Sequence, residues 1–273
     1  MKALVLSGGN VKGCYQAGAL KKLWERGYRP DAIYGTSVGA VNTFGLLYGD
    51  PNKLCDFWLQ LKSKNQIIKR EPLWRIFVDG FIQYNMKPLL EQLNEYAQDL
   101  PAPALRGVVT YVDLFSGCLC YSESRTASKQ EFMEYVVASA TEPPIVKPLY
   151  NRFYDGGLRD QTPLKKAIDD GATEIFVILT NPYPSKPEVW QPKKPYVLYN
   201  LLRAVDIISN EVYINDIERC LAYNGVPGKR QIMLKFISPN IELKGGFDVD
   251  PDLIRRGLQA GYEDADKFFD ESK

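Results

Sequence analysis

Residues 32–48 read AIYGTSVGAVNTFGLLY, and the character of the chain changes in the middle of that stretch. Residues 32–34 are a short apolar run that predicts a buried strand ending at Gly35. Residues 38–48 are apolar almost all round, which predicts a buried helix. Between them Gly35-Thr36-Ser37-Val38-Gly39 spells G-x-S-x-G in a strand–turn–helix setting. A nucleophile elbow needs that setting: glycines let the backbone turn tightly and keep the serine Oγ uncrowded, and the helix N-terminus favours developing negative charge. The competing reading is that Ser37 is an N-capping serine.

Upstream, residues 2–7 (KALVLS) form another short apolar run that ends in Gly8-Gly9-Asn10-Val11-Lys12-Gly13. Residues 12–26 follow with helical spacing, with Ala17, Leu20, Leu23 and Trp24 on one face and Gly27 as the stop. Successive backbone N–H groups in such a turn converge on an anion, so Gly8, Gly9 and Asn10 are candidate oxyanion donors; a plain strand-to-helix glycine turn is the alternative. A phosphate-binding P-loop is excluded because Lys12 precedes Gly13, and a dinucleotide fingerprint because Asn10 breaks G-x-G. Strand, helix, strand, helix with short links predicts an α/β fold with a mostly parallel central sheet flanked by helices, three layers in all.

Downstream, helices are expected at residues 51–62, 87–98, 129–141, 163–171, 196–223 (one helix or two) and 252–269. Paired strands are expected at 106–115 and 118–122 around a Ser116-Gly117 turn, with further strands at 153–157, 174–180 and 230–237. Residues 65–85 are rich in aromatics with little period. A third glycine turn, Asp155-Gly156-Gly157, follows a short strand and holds an aspartate in a tight bend, or is an ordinary Asp-Gly turn. No repeat or linker breaks the 273 residues, so residues 1–273 are expected to form one domain.

The chain contains no histidine. That removes Ser-His-Asp and Cys-His mechanisms and His-ligated metal sites, and no metal or cofactor is expected. A general base must then be Asp, Glu, Lys, Tyr or a terminal amine. Serine, carboxylate and backbone N–H donors together make a set suited to acyl transfer. Cys14, near a helix N-terminus, is a remote alternative nucleophile. The five cysteines form no CxxC pair and read as reduced thiols of a cytoplasmic protein, each most simply a small buried hydrophobe. The net charge of +1 gives no reason to expect nucleic acid as a partner. No run approaches the ~18 apolar residues of a membrane span, and the N-terminus lacks the pattern of a signal peptide.

At these residues the sequence resembles the patatin-like phospholipase family. Its pattern is a turn of the form GGGxRG or GGGxKG, then GxSxG, then DGG or DGA, and this chain has GGNVKG, GTSVG and DGG in that order. The flanks agree at residues 14–20 (CYQAGAL), at Ala138-Ser139-Ala140 with Pro143-Pro144, and at Thr162-Pro163-Leu164. The likeness runs over about residues 2–182. It implies Ser37 as nucleophile, Asp155 as its base, and an oxyanion hole from the backbone of Gly8, Gly9 and Asn10, with Lys12, Gly13, Gly35, Gly39, Gly156 and Gly157 supporting the turns. Asn10 departs from the family's third glycine; asparagine tolerates left-handed backbone.

The resemblance also implies lipid acyl esters as substrates, of phospholipase A or lysophospholipase type, and peripheral contact with a membrane. Trp74, Ile76, Phe77, Val78, Phe81 and Ile82, preceded by Lys62, Lys64, Lys69 and Arg70, suit a lid or interfacial docking surface; a covering loop packed on the core is the alternative. Residues 190–199, with Trp190, Lys193 and Lys194, are a second candidate. Rival functions are a soluble esterase or thioesterase on small acyl groups, and a catalytically weak lipid-binding protein of the same fold, which Asn10 alone favours.

Overall fold

The computed structural model describes residues 1–75, 83–98, 100–101, 103–183, 191, 196–240 and 249–271. The strands are β1 (Lys2–Leu6), β2 (Ala32–Gly35), β3 (Lys69–Arg70), β4 (Tyr84–Asn85), β5 (Arg106–Asp113), β6 (Cys118–Glu123), β7 (Phe153–Asp155), β8 (Glu174–Ile178) and β9 (Met233–Ile237). The helices are α1 (Gly13–Glu25), α2 (Val38–Leu47), α3 (Pro51–Gln60), α4 (Lys87–Tyr96), α5 (Lys129–Ser139), α6 (Leu164–Asp169), α7 (Tyr196–Tyr223) and α8 (Pro251–Glu271). The strand expected at 230–237 is shorter, and residues 196–223 are one continuous helix.

Seven strands make one sheet in the order β6-β5-β2-β1-β8-β9, with β7 on β5. The contacts β5–β2, β2–β1, β1–β8 and β8–β9 are parallel; β6 and β7 run antiparallel to β5. Period-two alternation sorts the strands' side chains onto two faces. Leu4, Leu6, Ile33, Val109, Phe176 and Ile178 face a core built with α1, α2, α3 and α5. Ala3, Val5, Tyr34, Val108, Ile175 and Val177 face a second core with α6 and α7. Helices on both faces make the three-layer α/β/α arrangement.

Residues 65–85, unreadable by period, contain short 3₁₀ turns and the two-residue pair β3–β4, too short for any hydrophobic repeat. Leu73 and Trp74 are exposed there. Ile76, Phe77, Val78, Phe81 and Ile82 lie outside the described residues, as do Trp190, Lys193 and Lys194.

A buried polar chain ties the helices to the strand ends. Gln16 Nε2 donates to the carbonyls of Ser7 (2.8 Å) and Ile178 (3.0 Å). Asn42 Nδ2 donates to the Gly13 carbonyl and to Gln16 Oε1, each at 2.9 Å, and Trp58 Nε1 donates to Asn42 Oδ1 at 2.9 Å. Every member of this chain is paired, which offsets the cost of burying it and fixes α1, α2 and α3 against the C-terminal ends of β1 and β8.

Helices α1 and α8 approach closely because glycines face each other's backbone. A Cβ on Gly18 would stand 1.9 Å from the Leu258 carbonyl oxygen, and one on Gly261 1.9 Å from that of Tyr15. Gly18→Val is therefore expected to cost about 1–3 kcal/mol by overpacking, read as a fall in Tm of roughly 3–10 °C. An unchanged Tm would show that α8 does not seat on α1 in this way.

Candidate active site

Strand β5 pairs with β2 only over Arg106–Val109, while β6 covers its other edge from Val108 to Asp113. The edge of β5 beyond the end of β2 is left for β7, which pairs Asp155 with Tyr111. Asp155 thus arrives at the C-terminal end of β2, where the chain turns into Ser37.

Ser37 has φ 56° and ψ −124°, and its side chain caps no backbone group of α2. This decides against the N-cap reading. A β-region serine is usual at an N-cap; a positive-φ serine is strained by about 1–3 kcal/mol, and such strain gathers at functional turns. The flanking glycines are required sterically. A Cβ on Gly39 would lie 2.2 Å from the Leu6 carbonyl oxygen, and one on Gly35 2.3 Å from that of Gly39. The Ser37 N–H donates to Ser139 Oγ at 2.9 Å, and the Asp155 N–H to the Thr141 carbonyl at 3.1 Å. The end of α5 therefore braces both residues. In the sequence Ser139 is only part of a flanking match, and nothing in its spacing marks that hydrogen bond.

The Asp155 carboxylate is buried and accepts the Gly157 N–H at 2.7 Å. Burial pushes its pKa up to about 7, opposed by hydrogen bonds from the Ser37 side chain and the Gly157 N–H. Of the two opposing influences open at the level of sequence, burial wins. Glu142, which the sequence did not single out, is also pushed up to about 7, by burial and then by the charges of Asp155 and Asp206, while a hydrogen bond with Asn10 opposes the rise.

In the first turn, Gly8 gives its N–H to the Gln161 carbonyl at 3.0 Å. Asn10 opens a 3₁₀ turn (Asn10–Lys12) capped by Gly9, so its first N–H groups have no partner within the turn. Gly9 and Asn10 remain as candidate oxyanion donors, whereas the Gly8 N–H is already taken by Gln161. Asn10 sits at φ 55°, which asparagine tolerates, and its side chain engages Glu142. Lys12 Nζ donates to Asn181 Oδ1 at 2.5 Å, linking the turn to the chain just beyond β8. Gly13 packs on Val38, and Gly156 on Thr110. Cys14 is buried and its thiol is pushed up to about 12, so burial outweighs the helix terminus and the cysteine is no nucleophile.

A cavity opens beside Ser37, lined by Val38, Val41, Phe57, Trp58, Met86 and Leu89 among others, almost wholly apolar, with Asn10 and Ser37 at its polar end.

An unfolded aspartate titrates near 3.9. Because Asp155 titrates near 7 when folded, the folded state holds a proton that the unfolded chain has already lost. That contribution to stability is intact below about pH 4 and disappears as pH rises through about 7. Asp155→Asn is expected to raise Tm above wild type at pH 8, with the gain vanishing near pH 4. Thermal melts of both proteins across that range check it; an equal Tm at pH 8 would mean that Asp155 is not buried as a charge.

The model of the patatin-like phospholipase family matches residues 4–168. Lysophospholipase NTE1 of Cryptococcus neoformans var. neoformans serotype D is 25% identical over 294 aligned positions, covering 99% of this chain but 17% of that protein. The uncharacterized protein YjjU of Escherichia coli K12 is 26% identical, over 66% of this chain and 52% of YjjU. The chain thus spans 17% of the one relative's length and about half of the other's. Among solved structures, VipD from Legionella pneumophila superposes with a TM-score of 0.49 at 13% identity, covering 99% of this chain and 67% of VipD. With the family model matched over more than half its length, this chain belongs to the patatin-like phospholipase family.

Proposed function

We propose that the protein is a serine acyl hydrolase acting on lipid acyl esters, of phospholipase A or lysophospholipase type, through a Ser37–Asp155 dyad. The observation that carries this reading is an uncapped, positive-φ serine set against a buried carboxylate at the mouth of an apolar cavity. Family membership and the lysophospholipase relatives support the same substrate class.

In this mechanism the acyl chain enters the apolar cavity and its ester carbonyl sits over Ser37. Ser37 Oγ attacks the carbonyl carbon as Asp155 takes the hydroxyl proton. The oxyanion accepts hydrogen bonds from the N–H groups of Gly9 and Asn10, aided by the N-terminus of α2. Collapse breaks the ester C–O bond, and Asp155 returns the proton to the leaving alcohol. Water, deprotonated by Asp155, then attacks the acyl-serine; the C–Oγ bond breaks, Asp155 returns the proton to Ser37 Oγ, and the fatty acid is released. A carboxylate with an ordinary pKa is a poor base; one near 7 is matched to neutral pH without any imidazole.

The catalytically weak lipid-binding reading rested on Asn10. With that side chain turned to Glu142, no observation favours it. Exposed Leu73 and Trp74 beside exposed Lys69 and Arg70 support peripheral docking on a lipid surface.

Ser37→Ala is expected to lower ester hydrolysis by at least about 10³-fold with the fold intact, and a fluorophosphonate should label Ser37 in the wild type. Substantial residual turnover would remove the assignment. For the wild type, kcat/KM on a soluble ester should fall as pH drops through about 7, because Asp155 must be ionised to act as base. Asp155→Asn should cost about 10²–10⁴-fold, and Asp155→Glu should displace that acid limb. A limb unmoved in Asp155→Glu would mean that another group titrates.

A further inference from the structure

Residues 160–162 touch all three glycine turns. The Asp160 carbonyl accepts Thr36 Oγ1 at 2.9 Å, next to Ser37. The Gln161 carbonyl accepts the Gly8 N–H at 3.0 Å. Asp216, on α7, accepts the N–H groups of Gln161 (2.8 Å) and Thr162 (3.0 Å). On the 160–162 side these links use main-chain atoms only. The Gln161 side chain is committed to none of them.

The Gln161 amide lies over two glycines that leave it room. A Cβ on Gly8 would stand 2.7 Å from its Nε2. A Cβ on Gly157 would stand 2.0 Å from its Oε1 and 3.0 Å from Asp155 Oδ1. The amide is therefore a direct neighbour of the Asp155 carboxylate, and it bridges from the aspartate turn to the first glycine turn. It is half-buried and makes no side-chain hydrogen bond among the described residues. Its two ends are interchangeable by a flip, so it has both a donor and an acceptor to offer. Neither Gln161 nor Asp155 lines the apolar cavity beside Ser37.

That separation assigns sides. In the reaction proposed above, the leaving oxygen must reach Asp155 to recover its proton, so the alcohol portion of the ester lies on the Asp155 side while the acyl chain takes the cavity. We propose that the Gln161 side-chain amide contacts the leaving alcohol and selects alcohols that carry a further hydroxyl, as a glycerol unit does; this rests on the acyl-hydrolase reading. A polyol pairs with the amide as water leaves. A plain alkyl group desolvates the amide and leaves it unpaired, which disfavours that substrate. The two glycines have a corresponding role: any side chain at Gly8 or Gly157 would displace the amide.

The test uses two soluble esters of one acyl group, glycerol monobutyrate and propyl butyrate, and the Gln161→Met variant. Methionine keeps length and volume, removes both polar atoms and leaves the main-chain links in place. The ratio of kcat/KM for the glycerol ester over the propyl ester is expected to fall roughly tenfold, the scale of one neutral hydrogen bond. Gln161→Ala, with Ser37 labelling by fluorophosphonate as the control for an intact site, should lower the ratio likewise. Equal losses on both esters, an unchanged ratio, or a wild type indifferent between them would overturn the assignment while leaving the hydrolase reading standing. A wild type that hydrolyses neither ester and is not labelled at Ser37 would overturn the hydrolase reading, and this inference with it.

Discussion

Strand β5 runs past the end of β2, and the vacant edge over its last residues is the constraint on which the site depends. Backbone N–H and C=O groups on that edge need partners. The antiparallel strand β7 supplies them, and its pairing of Asp155 with Tyr111 carries a carboxylate from far along the sequence to the turn after β2. The end of α5 then holds both sides of the junction, with Ser139 Oγ on the Ser37 N–H and the Thr141 carbonyl on the Asp155 N–H. The glycines follow from the same geometry. Where β1, β2 and α2 converge, Gly35 and Gly39 each sit against a backbone carbonyl, leaving no space for a side chain.

Crowding at this junction also sets its electrostatics. Asp155, Glu142, Asp160 and Asp216 are four carboxyls pushed upward, burial being the leading cause in each. Two of them sit at the site, and two lie behind it where residues 160–162 meet α7. Such groups weaken the fold at neutral pH. A buried carboxylate near 7 is, however, suited to the proposed histidine-free hydrolysis, where the desolvation that reduces stability would also supply the base. Among the described residues, Arg106 is held by Glu123 and Asp170, and Arg152 by Asp113.

The parallel sheet with helices on both faces was legible because its strands are short apolar runs ending in glycine turns and its helices carry a clear period. Where local pattern was weak, at residues 65–85, the elements among the described residues are too short to show one. The composition was decisive in a different way: without histidine, the search for a base reduces to few residue types, and the turn at Asp155 becomes a candidate. Burial of Cys14 agrees with the reading of the cysteines as small buried hydrophobes, and its contact with Gly257 of α8 is what only the packing shows.

By itself the sequence determined the elements, the three glycine turns, and the residue types available for chemistry, since these depend on local propensity, steric allowance and inventory. Only the tertiary structure decided that Ser37 is uncapped and strained, that Gly8 gives its N–H to Gln161, that Asn10 turns to Glu142, and that Gln161 stands beside Asp155. Each of these depends on contacts between segments far apart in the chain. The direction of the Asp155 pKa shift belongs with them. Backbone donors that lower it are visible as a local Asp-Gly-Gly turn, but the burial that outweighs them comes from every layer of the fold closing over one carboxylate.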